Sequence, residues 1–180
     1  TPFEIAPLEQ YLETHAERKA FLDFEQDELR IKLLITGVGQ MLTAYALGKT
    51  LEKEAFDLAI NAGVAGAFDR ELELGTVVHV VSEQLGDLGV EEADGQFKSM
   101  QELELLNPHG FPFQDAKLNN PQADAYDFLP KVSGLTVNKV HGFSESIALA
   151  KARYQADVES MEGAAFFYAC LMAEVPFLEI

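Results

Sequence analysis

The sequence is poor in basic residues, in cysteine and in long apolar runs, and each shortage excludes a class of protein. Thirteen Lys and Arg residues stand against thirty Asp and Glu, which leaves a formal net charge of -17. A field of this sign repels nucleic acid and anionic lipid, so neither is expected as a partner. It does not exclude a small metabolite that is bound by local groups.

The apolar runs are interrupted by charge well before about 18 residues, which is the approximate minimum for a membrane span. No membrane-spanning segment is therefore predicted. The single cysteine, Cys170, cannot form an internal disulfide and fits a reducing compartment, so we expect a cytoplasmic protein. Because Cys170 lies in an apolar helical stretch, a buried structural thiol is favoured over a nucleophile.

Several catalytic and cofactor motifs are also missing. There is no G-x-x-x-x-G-K-[ST] phosphate loop, no G-x-S-x-G, and no third glycine after Gly37-Val38-Gly39, which leaves a dinucleotide-binding domain as the weakest alternative. The four histidines do not have zinc-ligand spacing. We therefore predict no metal site and no cofactor. His79 is expected to be a satisfied core residue, whereas His141, at a strand end, has the better claim to line a pocket.

What the sequence does contain is an alternation of apolar strands and amphipathic helices over one domain, residues 1–180. With 48% apolar residues, a chain of this length can bury a substantial core. The segments from 29 to 60 read as a β-loop-α-β unit with parallel strands. Residues 91–129 have a weak pattern and are expected to form a lid or binding loop. The remaining predicted strands are 76–81, 135–140, 157–160 and 175–180, and the other helices begin at Thr1, Ser144 and Met161.

Three features of this pattern can carry chemistry, and each has a structural alternative. The loop Gly63-Val64-Ala65-Gly66 follows an apolar strand, so it is either a ligand-binding loop or a tight turn. Glu162 begins a strongly apolar helix, where a carboxylate either interacts with the helix dipole or binds a polar ligand such as a sugar. Glu4 either completes a capping box with Thr1 or acts as a general base.

Taken together, the segments "ITGVGQMLTAYALGKTL", "FDLAINAGVAGAF", "LELGTVVHVVSE" and "VESMEGAAFFYACLMAEVPFLEI" resemble the nucleoside phosphorylase and nucleosidase superfamily. The resemblance runs over nearly the whole chain. It implies a three-layer α/β/α fold with a central mixed, partly barrel-like sheet. It also implies that the family's first strand and C-terminal part lie outside residues 1–180, together with the group that protonates the leaving base. From this we expect an incomplete catalytic set and an inactive isolated fragment.

The resemblance also implies roles for individual residues. Glu162 would bind the ribose hydroxyls and Glu4 would activate the attacking water, so these two are the predicted catalytic residues. The remaining predicted site residues would contact the substrate: Gly63, Val64, Ala65, Phe143, Ser160 and Met161. Among them, Met161 would pack on the sugar and Phe143 would stack on the base. No cofactor is implied, and a homo-oligomer is expected.

One departure from the family pattern concerns the acceptor. Phosphorylases of the family have an arginine where this chain has Asn61, and neither glycine loop contains a basic residue. Because bound phosphate needs charge-assisted donors, water is the expected acceptor. The motifs "VESMEGAAFFYA" and "GTVVHVVSE" are most similar to futalosine hydrolases. The alternatives are a methylthioadenosine/adenosylhomocysteine nucleosidase, in which a serine stands in place of Val64, a purine or uridine phosphorylase, and a non-catalytic nucleoside-binding protein.

Overall fold

The computed structural model describes all residues from 1 to 180 and contains four α-helices, one 3-10 turn and thirteen short strands. The helices are α1 (Pro2–His15), α2 (Gln40–Leu51), α3 (Ser144–Tyr154) and α4 (Gly163–Met172), and the 3-10 turn is Ala123–Ala125. The strands are β1 (Glu17–Ala20), β2 (Asp23–Gln26), β3 (Leu29–Lys32), β4 (Ala59–Asn61), β5 (Gly66–Ala67), β6 (His79–Leu85), β7 (Gly89–Glu91), β8 (Phe97–Ser99), β9 (Phe113–Gln114), β10 (Lys117–Asn119), β11 (Lys131–Thr136), β12 (Val158–Ser160) and β13 (Phe177–Glu179).

The central sheet has eight strands and mixes parallel with antiparallel pairs. Its main path runs β4-β13-β6-β11-β12-β5, and β10 with β9 branches from β6. Strands β6, β11 and β12 are parallel to one another, as are β4 and β13, whereas β13 meets β6 in the antiparallel sense. The expected mixed sheet is therefore confirmed.

Helices cover both faces of this sheet and give it three layers. The main core surrounds α4 and includes residues of β6, β11 and β13, such as Val80, Val132 and Phe177. A second cluster joins Leu135 of β11 to Ala150 of α3 on the opposite face. Because successive residues of a strand point to opposite faces, β11 serves both layers.

Helix α4 is the centre of the main core because its sequence is apolar on nearly every side. Six of its residues are buried: Gly163, Ala164, Ala165, Phe166, Phe167 and Cys170. The ring of Phe167 packs edge-on against that of Phe177 with the centroids 4.7 Å apart. Such aromatic pairs contribute about 1 kcal/mol beyond the area that they bury. The prediction of a buried helix here is confirmed, as is that of a buried thiol at Cys170.

The expected parallel β-loop-α-β unit between residues 29 and 60 is wrong. Strand β3 pairs with β2, and β1, β2 and β3 form a separate antiparallel sheet. The β2–β3 connection has only two residues, Asp27 and Glu28, and Asp27 adopts a φ of +55°. Such a turn favours a local hairpin, and a short loop costs less entropy to close than a parallel crossover.

The expectation that residues 91–129 form an irregular lid is wrong in part. Strand β10 pairs with β6 through Leu118 and Asn119, so it belongs to the central sheet, and Leu118 is fully buried. Asn120 then donates from Nδ2 to the carbonyl of Phe177 at 2.8 Å. The turn-rich composition concealed a strand of three residues, which is too short to produce a periodic pattern.

The other predicted elements are present with shifted ends. The strand predicted at 56–60 is β4, that at 76–81 is β6, and that at 135–140 is β11, each displaced by a few residues. Such shifts are ordinary because the first and last residues of a strand depend on its pairing with neighbouring strands. None of the helices has the length and apolarity that crossing a lipid bilayer requires.

Candidate active site

Glu162 lies where α4 begins and also contacts the beginning of α2. It is the N-cap residue of α4 and is half-buried. Its Oε1 atom accepts a hydrogen bond of 2.7 Å from the backbone N–H of Gly39, which is the N-cap of α2 and has a φ of +92°. Helix N-termini favour negative charge, so the position suits a carboxylate side chain. The predicted position of Glu162 at a helix start is confirmed.

Glu4 lies in the first turn of α1 and contacts the glycine loop after β4. Its Oε2 atom accepts hydrogen bonds from the backbone nitrogen and the hydroxyl of Thr1, at 2.7 and 2.5 Å. Its Oε1 atom accepts from the backbone N–H of Val64 at 3.2 Å. A Cβ atom on Gly63 would lie 3.1 Å from the same oxygen, so glycine lets the carboxylate approach the loop. Glu4 therefore combines the capping box with a position beside the predicted substrate loop.

The environment of Glu4 keeps it ionised. Partial burial would by itself raise its pKa, but the hydrogen bonds from Thr1 and Val64 outweigh this effect and lower the pKa. A carboxylate that is charged at neutral pH and half-buried can accept a proton from a polarised water molecule.

Asn61 and Glu179 join the glycine loop to the region around α4. Asn61 donates from Nδ2 to Glu179 Oε1 at 2.8 Å, and β4 and β13 pair in parallel at these two residues. A Cβ atom on Gly163 would lie 2.9 Å from the same Glu179 oxygen. Thus one carboxylate contacts both the end of β4 and the residue next to Glu162, which brings the two predicted catalytic regions to one part of the molecule.

Beneath the start of α4 lie two buried carboxylates that the sequence analysis missed, Glu83 and Glu179. Glu83 is 1% exposed and Glu179 is 4% exposed. Burial is the main cause that raises the pKa of both, and for Glu179 the value reaches about 8, with the charge of Glu162 adding to the effect. The available signal was a single charged residue in each strand segment, in "VVSEQL" and in "PFLEI".

The predicted substrate-contacting residues fall into three places. Gly63, Val64 and Ala65 lie in the exposed loop beside Glu4. Ser160 and Met161 directly precede Glu162 and are half-buried, and Ser160 Oγ accepts from the backbone N–H of Gly163 at 3.1 Å. The hydroxyl of Ser160 thus caps α4, in addition to any contact with a ligand.

The third group of predicted substrate-contacting residues consists of Phe143 alone. It is the N-cap of α3 and its side chain is 63% exposed. Glu159 holds the segment before it. Its Oε1 atom accepts from the backbone N–H of His141 at 2.8 Å, and its Oε2 atom lies 2.6 Å from His141 Nδ1. Because Glu159 neighbours Ser160 in β12, this pair joins the Phe143 segment to the strand that leads to Glu162. His141 could be predicted to line a pocket from its place at a strand end, whereas Glu159 was not predicted.

His79 and Cys170 have no place in the chemistry of the site. His79 is fully buried, as expected. Burial lowers its pKa, and the ring is neutral. For Cys170, burial raises the thiol pKa to about 12, which excludes a thiolate nucleophile at neutral pH.

A cavity lies beside the candidate site. It has a volume of about 730 Å³, lies between α2 and α4, and is mostly apolar. Its lining includes Gln40 and Ala164, which follow the two helix starts that Glu162 connects, but neither Glu4 nor Glu162 lines it. Since the polar and titratable groups gather on the other side of the helix starts, we place the candidate site there.

Comparison with known proteins shows the family. The family model of the phosphorylase superfamily matches residues 1–180, and the chain belongs to this superfamily. A futalosine hydrolase from Thermus thermophilus is 30% identical over 164 residues, which cover 82% of this chain and 65% of that protein. A 5'-methylthioadenosine/S-adenosylhomocysteine nucleosidase from Colwellia psychrerythraea is 26% identical over 194 residues, covering 98% of this chain and 77% of that protein.

Solved structures support the fold independently. The native structure of a futalosine hydrolase from Helicobacter pylori superimposes with a TM-score of 0.76 at 13% identity, covering 99% of this chain and 78% of that chain. At this identity the likeness concerns the fold alone. The expected phosphorylase-like α/β/α architecture is confirmed.

Proposed function

We propose that this chain forms part of a nucleosidase that hydrolyses the N-glycosidic bond of a purine nucleoside, with futalosine as the substrate and hypoxanthine and dehypoxanthinyl futalosine as the products. The observation that carries the proposal is the half-buried Glu162 carboxylate at two helix N-termini. The similarity to nucleosidases of two kinds supports the class of reaction. The choice of futalosine depends on the "VESMEGAAFFYA" and "GTVVHVVSE" motifs.

The mechanism follows from the charge that develops as the bond breaks. Cleavage of an N-glycosidic bond leaves oxocarbenium-like positive charge on the sugar, as in other glycoside cleavages. A carboxylate that is already oriented near the ribose stabilises this charge more in the transition state than in the ground state. Glu162 has this role in the proposal, and its hydrogen bond to Gly39 supplies the orientation.

Glu4 completes the proposed reaction as the general base. It is ionised and lies against the loop that would contact ribose and water. Taking a proton from water as it attacks the anomeric carbon would make a weak nucleophile effective. The general acid for the leaving base is not assigned to any of the residues 1–180.

Water is favoured over phosphate because the surroundings are acidic. The loops 37–39 and 61–66 contain no Lys or Arg. Asn61, which stands in place of the family's arginine, donates its amide to Glu179. A phosphate anion here would face Glu4 and Glu162 without a charged donor to hold it.

The test is a substrate panel with the full-length protein, assayed with and without inorganic phosphate. We expect futalosine to release hypoxanthine in phosphate-free buffer. An absolute phosphate requirement would overturn the hydrolase assignment. Faster cleavage of methylthioadenosine or adenosylhomocysteine in the same panel would replace futalosine with the substrates of the other nucleosidase relatives.

Three further expectations belong to this proposal. The protein would act on a small nucleoside in the cytoplasm, and it would form a homo-oligomer. The exposed apolar side chains of α2 and α4, such as Met41, Tyr45 and Met172, support association. Light scattering of the full-length protein measures the oligomeric state. Tight nucleoside binding in calorimetry, with no cleavage over long incubation, would instead favour a non-catalytic binding protein.

A further inference from the structure

Glu83 and Glu179 form a buried carboxylate pair that the proposed reaction does not use. They come from neighbouring strands, β6 and β13, and both are more than nine-tenths buried. Neither takes part in a salt bridge with Lys, Arg or His. Glu83 Oε1 and Glu179 Oε2 have no hydrogen-bond partner. Because unpaired buried oxygens are costly, their retention here needs an explanation.

Short contacts connect the pair to the start of α4. Thr136 donates from its hydroxyl to Glu83 Oε2 at 2.7 Å, and the same hydroxyl accepts from the backbone N–H of Ala164 at 2.6 Å. Glu83 therefore orients a hydroxyl that caps α4 from the neighbouring strand β11. This cap lies two residues after Glu162.

The glycine at the start of α4 makes room for the pair. A Cβ atom on Gly163 would lie 2.3 Å from Glu83 Oε1 and 2.9 Å from Glu179 Oε1. A Cβ atom on Gly134 would lie 2.1 Å from Glu83 Oε1. Both carboxylates thus pack directly against the backbone of Gly163, the residue that follows Glu162.

Every titratable group that faces this pair is acidic. Glu162 and Cys170 of α4 are both close enough to Glu179 to interact with its charge. The elements β4 and β11 contribute only the uncharged Asn61 and Thr136. Two adjacent carboxylates without a cation cannot both ionise at low cost, whereas a protonated acid can donate a hydrogen bond. A proton on one member also supplies the donor that the unpaired oxygens lack.

We propose that Glu83 and Glu179 are positioning residues for Glu162, and that they act as a pair that keeps at least one proton at neutral pH. The uncharged acid holds Thr136 and the backbone of Gly163 in place, and so fixes the direction of the Glu162 carboxylate. This inference rests on the proposed function, since it concerns the orientation of the proposed catalytic Glu162.

The proposal makes the rate depend on pH in a defined way. Burial raises the pKa of Glu83 well above its ordinary value and that of Glu179 to about 8. Above this pH the pair gains negative charge beneath Glu162 and the start of α4, so turnover should fall. Glutamine has the shape of the protonated acid and cannot lose its proton as a carboxyl group does. It should therefore preserve activity at high pH.

The experiment compares Glu83→Ala, Glu83→Gln, Glu179→Gln and the double glutamine variant in the full-length enzyme. Glu91→Gln, an exposed carboxylate of β7, is the matched control. Glu83→Ala should lower kcat about tenfold or more, the scale seen for outer-shell partners of a site, with a small change in KM. Glu83→Gln should restore kcat to near the wild-type value. The double variant should lose the alkaline decline that wild type and Glu91→Gln show.

Two results would overturn the proposal. One is a Glu83→Gln variant as impaired as Glu83→Ala at every pH, which would mean that the site needs the charge. The other is an alkaline decline that persists in the double variant. If Glu83→Ala fails to fold, the alkaline profile of the folded glutamine variants decides the question alone.

Infrared spectroscopy separates this inference from the proposed function. Wild-type protein at neutral pH should show the stretching band of a buried carboxylic acid, and the double variant should lose it. Absence of the band would overturn the inference even in an active nucleosidase. If the band is present in a protein that cleaves no nucleoside, the proton-bearing pair stands, but the proposed function and the positioning role that depends on it both fail.

Discussion

Glu4 contacts the loop that follows β4, and Glu179 contacts the last residue of β4, yet their pKa values shift in opposite directions. Glu4 is partly exposed and accepts hydrogen bonds from Thr1 and Val64, which lower its pKa despite partial burial. Glu179 is buried, with the single donor Asn61 and the nearby charge of Glu162, and its pKa rises to about 8. The number of donors and access to water thus decide which glutamate is charged, although the residue type is the same. The charged one is suited to take a proton, and the uncharged one to donate a hydrogen bond.

Among the substitutions, the largest effect on kcat is expected at Glu162. Glu162→Gln should lower kcat by about a thousandfold, the upper range for loss of a single oriented electrostatic group, because an amide cannot neutralise the cationic sugar. The substitution preserves an oxygen that can accept from Gly39, so circular dichroism and the melting temperature should be unchanged. A near-wild-type rate would remove Glu162 from the mechanism.

Glu4→Gln tests the charged side of the comparison. The rate should fall by about a hundredfold, the lower range for general-base catalysis, because glutamine cannot accept the proton of the attacking water. Binding of a product-like inhibitor, measured by calorimetry, should be retained. Thr1→Ala is the matched control, since it removes a capping contact and leaves the carboxylate. An equal loss of rate in both variants would indicate that Glu4 only caps α1.

Gly163→Ala tests how tightly the buried pair is packed. Alanine usually stabilises a helix relative to glycine, but here its Cβ would lie 2.3 Å from Glu83 Oε1. We expect the free energy of unfolding to fall by roughly 2 kcal/mol, as for other overpacked cores. Gly142→Ala is the control, because nothing lies within 4 Å of its Cβ position. Denaturant titration of both variants should separate them, and equal stabilities would mean that the pair moves aside easily.

Glu179 and Glu4 should change the free energy of unfolding in opposite directions as the pH rises. The raised pKa of Glu179 favours folding below its ordinary value of 4.5, and this contribution is lost as the pH rises toward about 8. For Glu4 the pKa is lowered, so its contribution is present above 4.5 and is lost in acid. Wild type should therefore lose stability between pH 5 and pH 8, and Glu179→Gln should flatten this slope. A denaturant midpoint measured at several pH values checks this, and an unchanged slope would contradict it.

The smallest effect is expected at Cys170. Its pKa of about 12 and its complete burial should leave the thiol unreactive toward a thiol-specific reagent in the native protein. In denaturant the same reagent should react fully. Cys170→Ala should accordingly leave kcat unchanged. Rapid labelling of the native state would mean that the core around α4 opens readily.

The candidate site could be predicted in part, because some of its features are local. Glu162 at the start of an apolar helix and Glu4 in a capping box both follow from short sequence patterns. The roles given to them came from a resemblance of motifs. Glu83, Glu159 and Glu179 were missed because each is a single charged residue in a strand, and the sequence alone does not tell which residues face them. Their meaning depends on partners such as Thr136 and His141, which are distant along the chain.

The elements of the fold also differ in how well they could be predicted from the sequence. The place and the burial of helix α4 could be predicted because nearly all of its ten residues are apolar. Strand β3 was assigned to the wrong sheet because its apolar residues suit either a hairpin or a parallel pair, and the two-residue turn with a positive φ at Asp27 decided for the hairpin. Strand β10 was not predicted at all, since three residues carry too little pattern.

The class of fold was implied by the resemblance of motifs. By itself the sequence determined the buried helix α4, the acidic character of the chain and the absence of basic residues in both glycine loops. These depend on composition and on periodicity along the chain, which need no knowledge of distant contacts. Only the tertiary structure decided that Glu162 bridges two helix starts, that Asn61 is paired with Glu179, and that two carboxylates are buried together beneath Gly163. Such neighbours are brought together by strand pairing, and burial then sets their charge.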